Sequence, residues 1–185
     1  ISVLKNKSLT LIDGPSVKIL EKKISRLFGK KYGLMVNSGS SANLLGLASF
    51  DIKKGSEVIT PTLTFSTTLA PIYQLGLIPH FIDVDKNTFT AKISQIKKAI
   101  NKRTKAIIIP NLLGNVPDWK EIYKIAKQYK LKIIEDSADT IGYTINKNHY
   151  GQYSDITTNS MYASHIITGA GFGGMVCFND KKLYD

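Results

Sequence analysis

At 185 residues, with 43% hydrophobic and 21% charged positions, the chain has the composition of one globular domain with a sizeable core. No apolar run nears the roughly 18 residues of a membrane span, the N-terminus lacks the layout of a signal peptide, and the single cysteine allows neither a disulfide framework nor a metal cluster. The net charge of +11 invites a nucleic-acid partner, but the lysines are scattered (Lys22-Lys23, Lys97-Lys98, Lys127 and Lys130) at the spacing of solvated helix faces, and no nucleic-acid-binding signature is visible. The expected class is a cytoplasmic enzyme bound to neither nucleic acid nor membrane and holding no metal. The charge is left as solvated helix faces, or as a field drawing in an anionic substrate such as a nucleotide-linked sugar. A start at Ile1 and an end at Asp185, straight after an apolar run, read as a fragment of a longer protein.

Residues 1–13 have little periodicity and read as an arm. Beyond them the pattern alternates: helix 15–28, strand 33–36, helix 41–49, strand 57–60, helix 66–75, strand 80–84, helix 93–101, strand 106–110, helix 119–129, strand 132–135, then strands 156–160 and 174–178. Strands joined by crossover helices predict an α/β fold, a mostly parallel seven-stranded sheet with helices on both faces. The direction of the last strand stays open, because an irregular glycine-rich stretch precedes it. Ligands in such sheets bind beyond the carboxyl ends of the strands, and each chemistry-bearing segment falls at one of those ends.

Asn37-Ser38-Gly39-Ser40-Ser41-Ala42-Asn43 follows the first strand and opens a helix. Free N–H groups and the positive end of the helix dipole there suit a phosphate, with Gly39 and Ser40 the candidate contacts; Ser40 acting only as a helix cap is the plainer alternative. Phe65, after the second strand, could lie flat on a planar heterocycle or belong to the core. The run Ile133-Ile134-Glu135-Asp136-Ser137-Ala138-Asp139 puts Asp136 at a strand end, where it can pair with a protonated pyridine nitrogen; a metal or capping role is the alternative. Asp139 could reach the same ligand near its phenolic oxygen. Ser160 can add a hydroxyl to the phosphate site, and His165 follows it by five residues, ahead of the glycines between 169 and 174. His165 lies within a lysine-free stretch bracketed by Lys147 and Lys181. An imidazole shuttles protons near neutral pH but forms no stable imine with an aldehyde. His80 and His149 read as satisfied core histidines, and Cys177 as core.

Phosphate turn, aromatic, acidic strand end, then Ser-x-x-x-x-His before a glycine loop: in this order the segments resemble fold-type I (aspartate aminotransferase-like) enzymes of the DegT/DnrJ/EryC1/StrS family. The similarity runs from Gly14-Pro15-Ser16-Val17 through Asp83-Val84-Asp85 and Glu135-Asp136 to Gly173-Gly174. It implies that residues 14–185 are the large domain that binds pyridoxal or pyridoxamine phosphate, with the small C-terminal domain missing. Family aminotransferases carry lysine at the position of His165; a histidine there marks the NDP-4-keto-6-deoxyhexose 3-dehydratases, which Leu113-Gly114-Asn115 and Asp136-x-x-Asp139 also resemble. By that resemblance Gly39, Ser40 and Ser160 bind the phosphate, Phe65 stacks on the ring, Asp136 holds the pyridine nitrogen and His165 is the base for loss of the C3 hydroxyl from a nucleotide-linked 4-keto-6-deoxyhexose. A homodimer is implied, and a reductase partner with an iron–sulfur cluster in some relatives. The chain departs from the family at Asn111, where histidine is frequent, and in its longer 169–174 loop. The alternatives are a sugar aminotransferase whose lysine comes from elsewhere, Lys147 being the nearest upstream, and a non-catalytic cofactor-binding module.

Overall fold

The computed structural model describes residues 14–145 and 147–184; the arm at 1–13 lies outside them. Gly14 and Pro15 start the first helix, α1 (Pro15–Leu27), proline being pre-set for the first helical position. Its Ile24, together with Phe28 just beyond its end, packs on Met175 and Cys177. Strand β1 (Tyr32–Val36) follows, then α2 (Gly39–Ala48), β2 (Glu57–Pro61), α3 (Ser66–Gln74), β3 (Ile78–Ile82), α4 (Ile93–Ala99) and β4 (Thr104–Pro110). Next come α5 (Trp119–Tyr129), β5 (Lys132–Asp136), a short hairpin of β6 (Thr144–Ile145) and β7 (Asn148–His149), then β8 (Ile156–Ser160), β9 (Gly174–Phe178) and α6 (Lys181–Tyr184).

The seven-stranded sheet has the order β1-β9-β8-β5-β4-β2-β3. Pairs β2–β3, β2–β4, β4–β5 and β5–β8 are parallel, while β9 runs antiparallel to both β1 and β8. That fixes the strand whose direction the sequence left open, and it brings the carboxyl ends of β1, β2, β4, β5 and β8 to one edge. Alternate residues feed two cores. Ile59, Ile107, Ile109 and Ile133 meet Ile96 of α4 and Trp119, Ile122 and Ile125 of α5. Val58, Ala106, Ile108, Ile134, Ile156 and Val176 meet Ala42 and Leu47 of α2 and Ile72 of α3. Helices therefore cover both faces. Each fully buried Ile of this kind contributes about 1.5–3 kcal/mol.

Three expectations need correction. The edge strand lies at Ile78–Ile82 and not at 80–84, because pairing with Glu57–Pro61 sets its register. His80 is consequently not a core residue: it sits half exposed in β3, with Nδ1 3.1 Å from Glu57 Oε2. His149 lies in β7, and its buried Nδ1 meets no hydrogen-bond partner among the described residues, so the satisfied role does not hold there. Cys177 is fully buried. No helix among the described residues is long and apolar enough to cross a membrane.

Candidate active site

A cleft of about 640 Å³ opens along the carboxyl edge of the sheet. Gly39, Ser40, Phe65, Asp136, Asp139, Ser160 and His165 all line it, so residues spread over 127 positions of sequence meet in one cavity. No lysine or arginine is among its described lining residues. Lys147 sits exposed in the β6–β7 turn and is not part of the lining.

At the first strand end, Ser38 caps α2, its Oγ accepting the Ser41 N–H at 3.1 Å. The capping role that Ser40 could have taken is filled by its neighbour, leaving the Ser40 hydroxyl exposed at the helix N-terminus. Gly39 is packed so closely on β8 that a Cβ there would lie 2.6 Å from the Ser160 Cβ. The N-terminus of α2 and the Ser160 side chain thus share one corner of the cleft.

Phe65 is the residue before α3 and is 68% exposed, which removes the core reading for it. Asp136 closes β5 and is only 5% exposed. Its Oδ2 accepts from Asn43 Nδ2 and from Thr68 Oγ1, both at 2.8 Å, and its Oδ1 accepts the Ala138 N–H at 3.2 Å. Burial pushes the Asp136 carboxyl above its ordinary range; the Thr68, Asn43 and Ala138 hydrogen bonds pull it back, and nearby Asp139 adds to the rise. Among the described residues no cation pairs with it, no group of side chains could hold a metal ion, and it caps no helix. A buried carboxylate without a cation, beside a phosphate-sized helix N-terminus and under an exposed aromatic, fits a phosphorylated pyridine ring carrying a protonated nitrogen.

His165 is half-buried on the loop between β8 and β9, its N–H donating to Tyr162 O at 2.9 Å. Its Nδ1 lies 3.5 Å from Asp139 Oδ1. Asp139 Oδ2 accepts the N–H of Leu113 at 2.9 Å. The Tyr162 ring stands edge-on to His165 and packs against Phe172.

Asn111, in the wall of the cleft, donates through Nδ2 to Glu135 Oε1 at 2.9 Å, Ser137 Oγ at 2.8 Å and Thr140 Oγ1 at 3.1 Å, and accepts from Trp119 Nε1 at 2.8 Å. The residue that departs from the family pattern is therefore tied into a complete buried network. Asn43, Thr68, Leu113, Tyr162 and Phe172 also line the cleft, and sequence reading gave none of them a role. A polar side chain on an otherwise apolar helix face, as at Asn43 and Thr68, was the available signal.

A mostly parallel sheet with this polar cluster along its carboxyl edge is the large domain of fold-type I, aspartate aminotransferase-like enzymes. The sequence pattern of the DegT/DnrJ/EryC1/StrS aminotransferase family matches residues 1–185, and the chain belongs to that family. It is 41% identical over 177 residues to a GDP-4-keto-6-deoxy-D-mannose 3-dehydratase of Yersinia pseudotuberculosis, covering 92% of this chain and 45% of that protein. It superposes on the E. coli GDP-4-keto-6-deoxy-D-mannose-3-dehydratase with bound hydrated PLP at TM-score 0.90 and 38% identity, over 99% of this chain and 48% of that one. An aminotransferase from Psychrobacter cryohalolentis matches at TM-score 0.93 and 29% identity, over 99% and 46%. The chain spans about half the length of these relatives.

Proposed function

We propose that the protein removes the C3 hydroxyl from a nucleotide-linked 4-keto-6-deoxyhexose in deoxysugar biosynthesis, using pyridoxamine or pyridoxal phosphate, with His165 as the base. The observation that carries this reading is the pairing of His165 with Asp139 in a cleft whose described lining contains no lysine. A transaminase of this family needs an amine there; an imidazole supports proton transfer only. The names of the Yersinia and E. coli relatives point the same way.

In this reading Gly39 and Ser40 at the N-terminus of α2, together with Ser160, bind the cofactor phosphate. Phe65 lies on the ring and fixes its tilt. Asp136 holds the proton of the pyridine nitrogen. When bound, the cofactor supplies an electron sink beside the sugar's C4. Asp139, 3.5 Å from Nδ1 of His165, favours the tautomer that keeps its proton on Nδ1 and so leaves Nε2 free to take a proton. The same Nε2–H then returns that proton to the departing C3 hydroxyl, which leaves as water.

The sugar's nucleoside diphosphate is anionic, and the described lining offers it no lysine or arginine. A second subunit supplies the missing cations in the proposed homodimer, which works in the cytoplasm where nucleotide-activated sugars are made. A reductase partner remains part of the proposal as a means of resolving the dehydrated product.

The test is an absorbance titration with pyridoxal phosphate, before and after borohydride, followed by intact mass. The expected result is saturable binding with no lysine adduct, and a fixed adduct appearing in His165→Lys. A borohydride-fixed lysine in the unaltered protein would restore the aminotransferase. Failure of the full-length protein to bind cofactor would leave a non-catalytic homologue.

A further inference from the structure

We infer that Thr158, Asn43 and Thr68 form a hydrogen-bond relay that engages Oδ2 of Asp136 and reserves its other oxygen, Oδ1, for a cationic ring nitrogen. The inference rests on reading the cleft as a pyridine-cofactor site, and it assigns positioning roles to three residues.

The structural fact behind it is an asymmetry. Both strong side-chain donors to Asp136 converge on Oδ2, from Asn43 Nδ2 and Thr68 Oγ1, each at 2.8 Å. Among the described residues Oδ1 receives only the Ala138 N–H, at 3.2 Å. Asn43 is aimed by Thr158, whose Oγ1 donates to Asn43 Oδ1 at 2.6 Å. Its Nδ2 also donates to Thr67 O at 3.2 Å. The opposite amide orientation would bring an amide oxygen to 2.8 Å from a carboxylate oxygen, so the carboxylate fixes which way the amide points. Asn43, Thr68 and Thr158 are all buried, and each hydrogen bond is stronger for it.

Chemistry follows from this geometry. A proton on Oδ2 would oppose two donors already aimed at it. Oδ1 is the one place left for a proton or for the N–H of a cation. Burial of Asp136 favours the neutral acid, and the Thr68 and Asn43 bonds oppose that tendency. The other charged or titratable groups that share the cleft, among the described residues, are Asp139, Tyr162 and His165. The residues paired with Asp136 from β4 and β8 are Pro110 and Thr158, and the donors from α2 and α3 are Asn43 and Thr68, all neutral. A positive partner is what this carboxylate lacks, and the relay keeps it ready to accept one.

The test uses the full-length protein and pyridoxamine phosphate labelled with 15N at the ring nitrogen. The 15N shift reports ring protonation across a pH series, and titration gives the affinity. Thr68→Val and Asn43→Leu are each expected to weaken binding about tenfold and to move loss of the ring proton about one pH unit lower. The Thr158 hydroxyl makes no hydrogen bond to Asp136 itself, yet Thr158→Val should shift both readouts in the same direction, and it should add nothing in an Asn43→Leu background. Thr→Val is nearly isosteric, so the Thr68 variant keeps the test decisive if Asn43→Leu fails to fold. Wild-type affinity and ring titration in both Thr68→Val and Thr158→Val would overturn the relay. An Asp136→Ala variant that binds cofactor as well as the wild type would instead overturn the reading of the cleft, and the relay with it.

Discussion

The Nδ1 atom of His165 lies 3.5 Å from Oδ1 of Asp139, and the other oxygen of that carboxylate is held by the backbone N–H of Leu113 at 2.9 Å. Three loops that follow β4, β5 and β8 are thereby tied at one point. Leu113 adopts φ 55°, ψ 28° to reach it, a left-handed conformation that a leucine rarely takes. From the sequence, Asp139 could reach a bound ring near its phenolic oxygen. In the structure one of its oxygens faces His165 and the other accepts from Leu113, a placement that suits an orienting group for the imidazole as well.

Replacing Asp139 by Asn should therefore impair proton transfer more than cofactor binding. The expected outcome is a loss of roughly 10²-fold in kcat, with affinity for pyridoxamine phosphate within about threefold of wild type, since a group engaged with the base and the Leu113 backbone, and not with the cofactor, contributes little to binding. A parallel 15N spectrum of the three histidines should show the Nδ1–H tautomer of His165 giving way to a mixture. A large fall in cofactor affinity with the tautomer unchanged would return Asp139 to the ring.

Gly39 is fixed by contact with β8 and not by its backbone angles. A Cβ at this position would lie 2.6 Å from the Ser160 Cβ and 3.1 Å from its Oγ, closer than real Cβ contacts come. Gly39→Ala must push the start of α2 away from the end of β8, splitting the corner where Ser40 and Ser160 meet. Overpacking of this kind costs about 1–3 kcal/mol. Thermal unfolding should reveal that loss, and phosphate-dependent cofactor affinity should fall with it, by about tenfold or more. Ser40→Gly, which leaves the packing alone, should lower affinity without changing stability.

Much of this was legible in the sequence, for local reasons. Parallel strands buried on both faces read as β-branched runs, so Ile107, Ile108 and Ile109 announced a central strand. Ser160 and His165 declared themselves through order along the chain, since each strand end in a parallel sheet returns to the same edge. What failed to show depended on register or on non-local packing. The edge strand slipped by two residues because its pairing with β2, not its composition, decides its ends. The β6–β7 hairpin is too short for any periodicity. Neither the Asp139–His165 contact nor the convergence of Asn43 and Thr68 on one oxygen of Asp136 has a sequence signature, since both are set by how loops and helices cross above the sheet.

A buried lysine outside the cleft gives the fold a distinctive response to alkali. Lys30 is almost fully buried, and its Nζ donates to Ser154 O at 2.5 Å and Ser154 Oγ at 3.1 Å. Burial, partly offset by Glu135, brings its ammonium down from 10.5 to about 8. Between these two values the unfolded chain binds the proton more tightly than the native protein does, so stability rises with pH as Lys30 becomes neutral. Cys177 acts in the opposite sense: burial raises its thiol above the ordinary value of 9.0, so above that pH the unfolded chain ionises first and stability falls. The two effects together predict a gain of about 0.5–1 kcal/mol from pH 8 to 9, then a plateau where they cancel. Urea unfolding followed through Trp119 fluorescence at each pH would measure it. Cys177→Ala should let the rise continue towards pH 10.5, and Lys30→Met should abolish it, leaving stability flat or falling through the same window. A wild-type profile that declines from pH 8 would mean that Lys30 keeps its proton in the folded state.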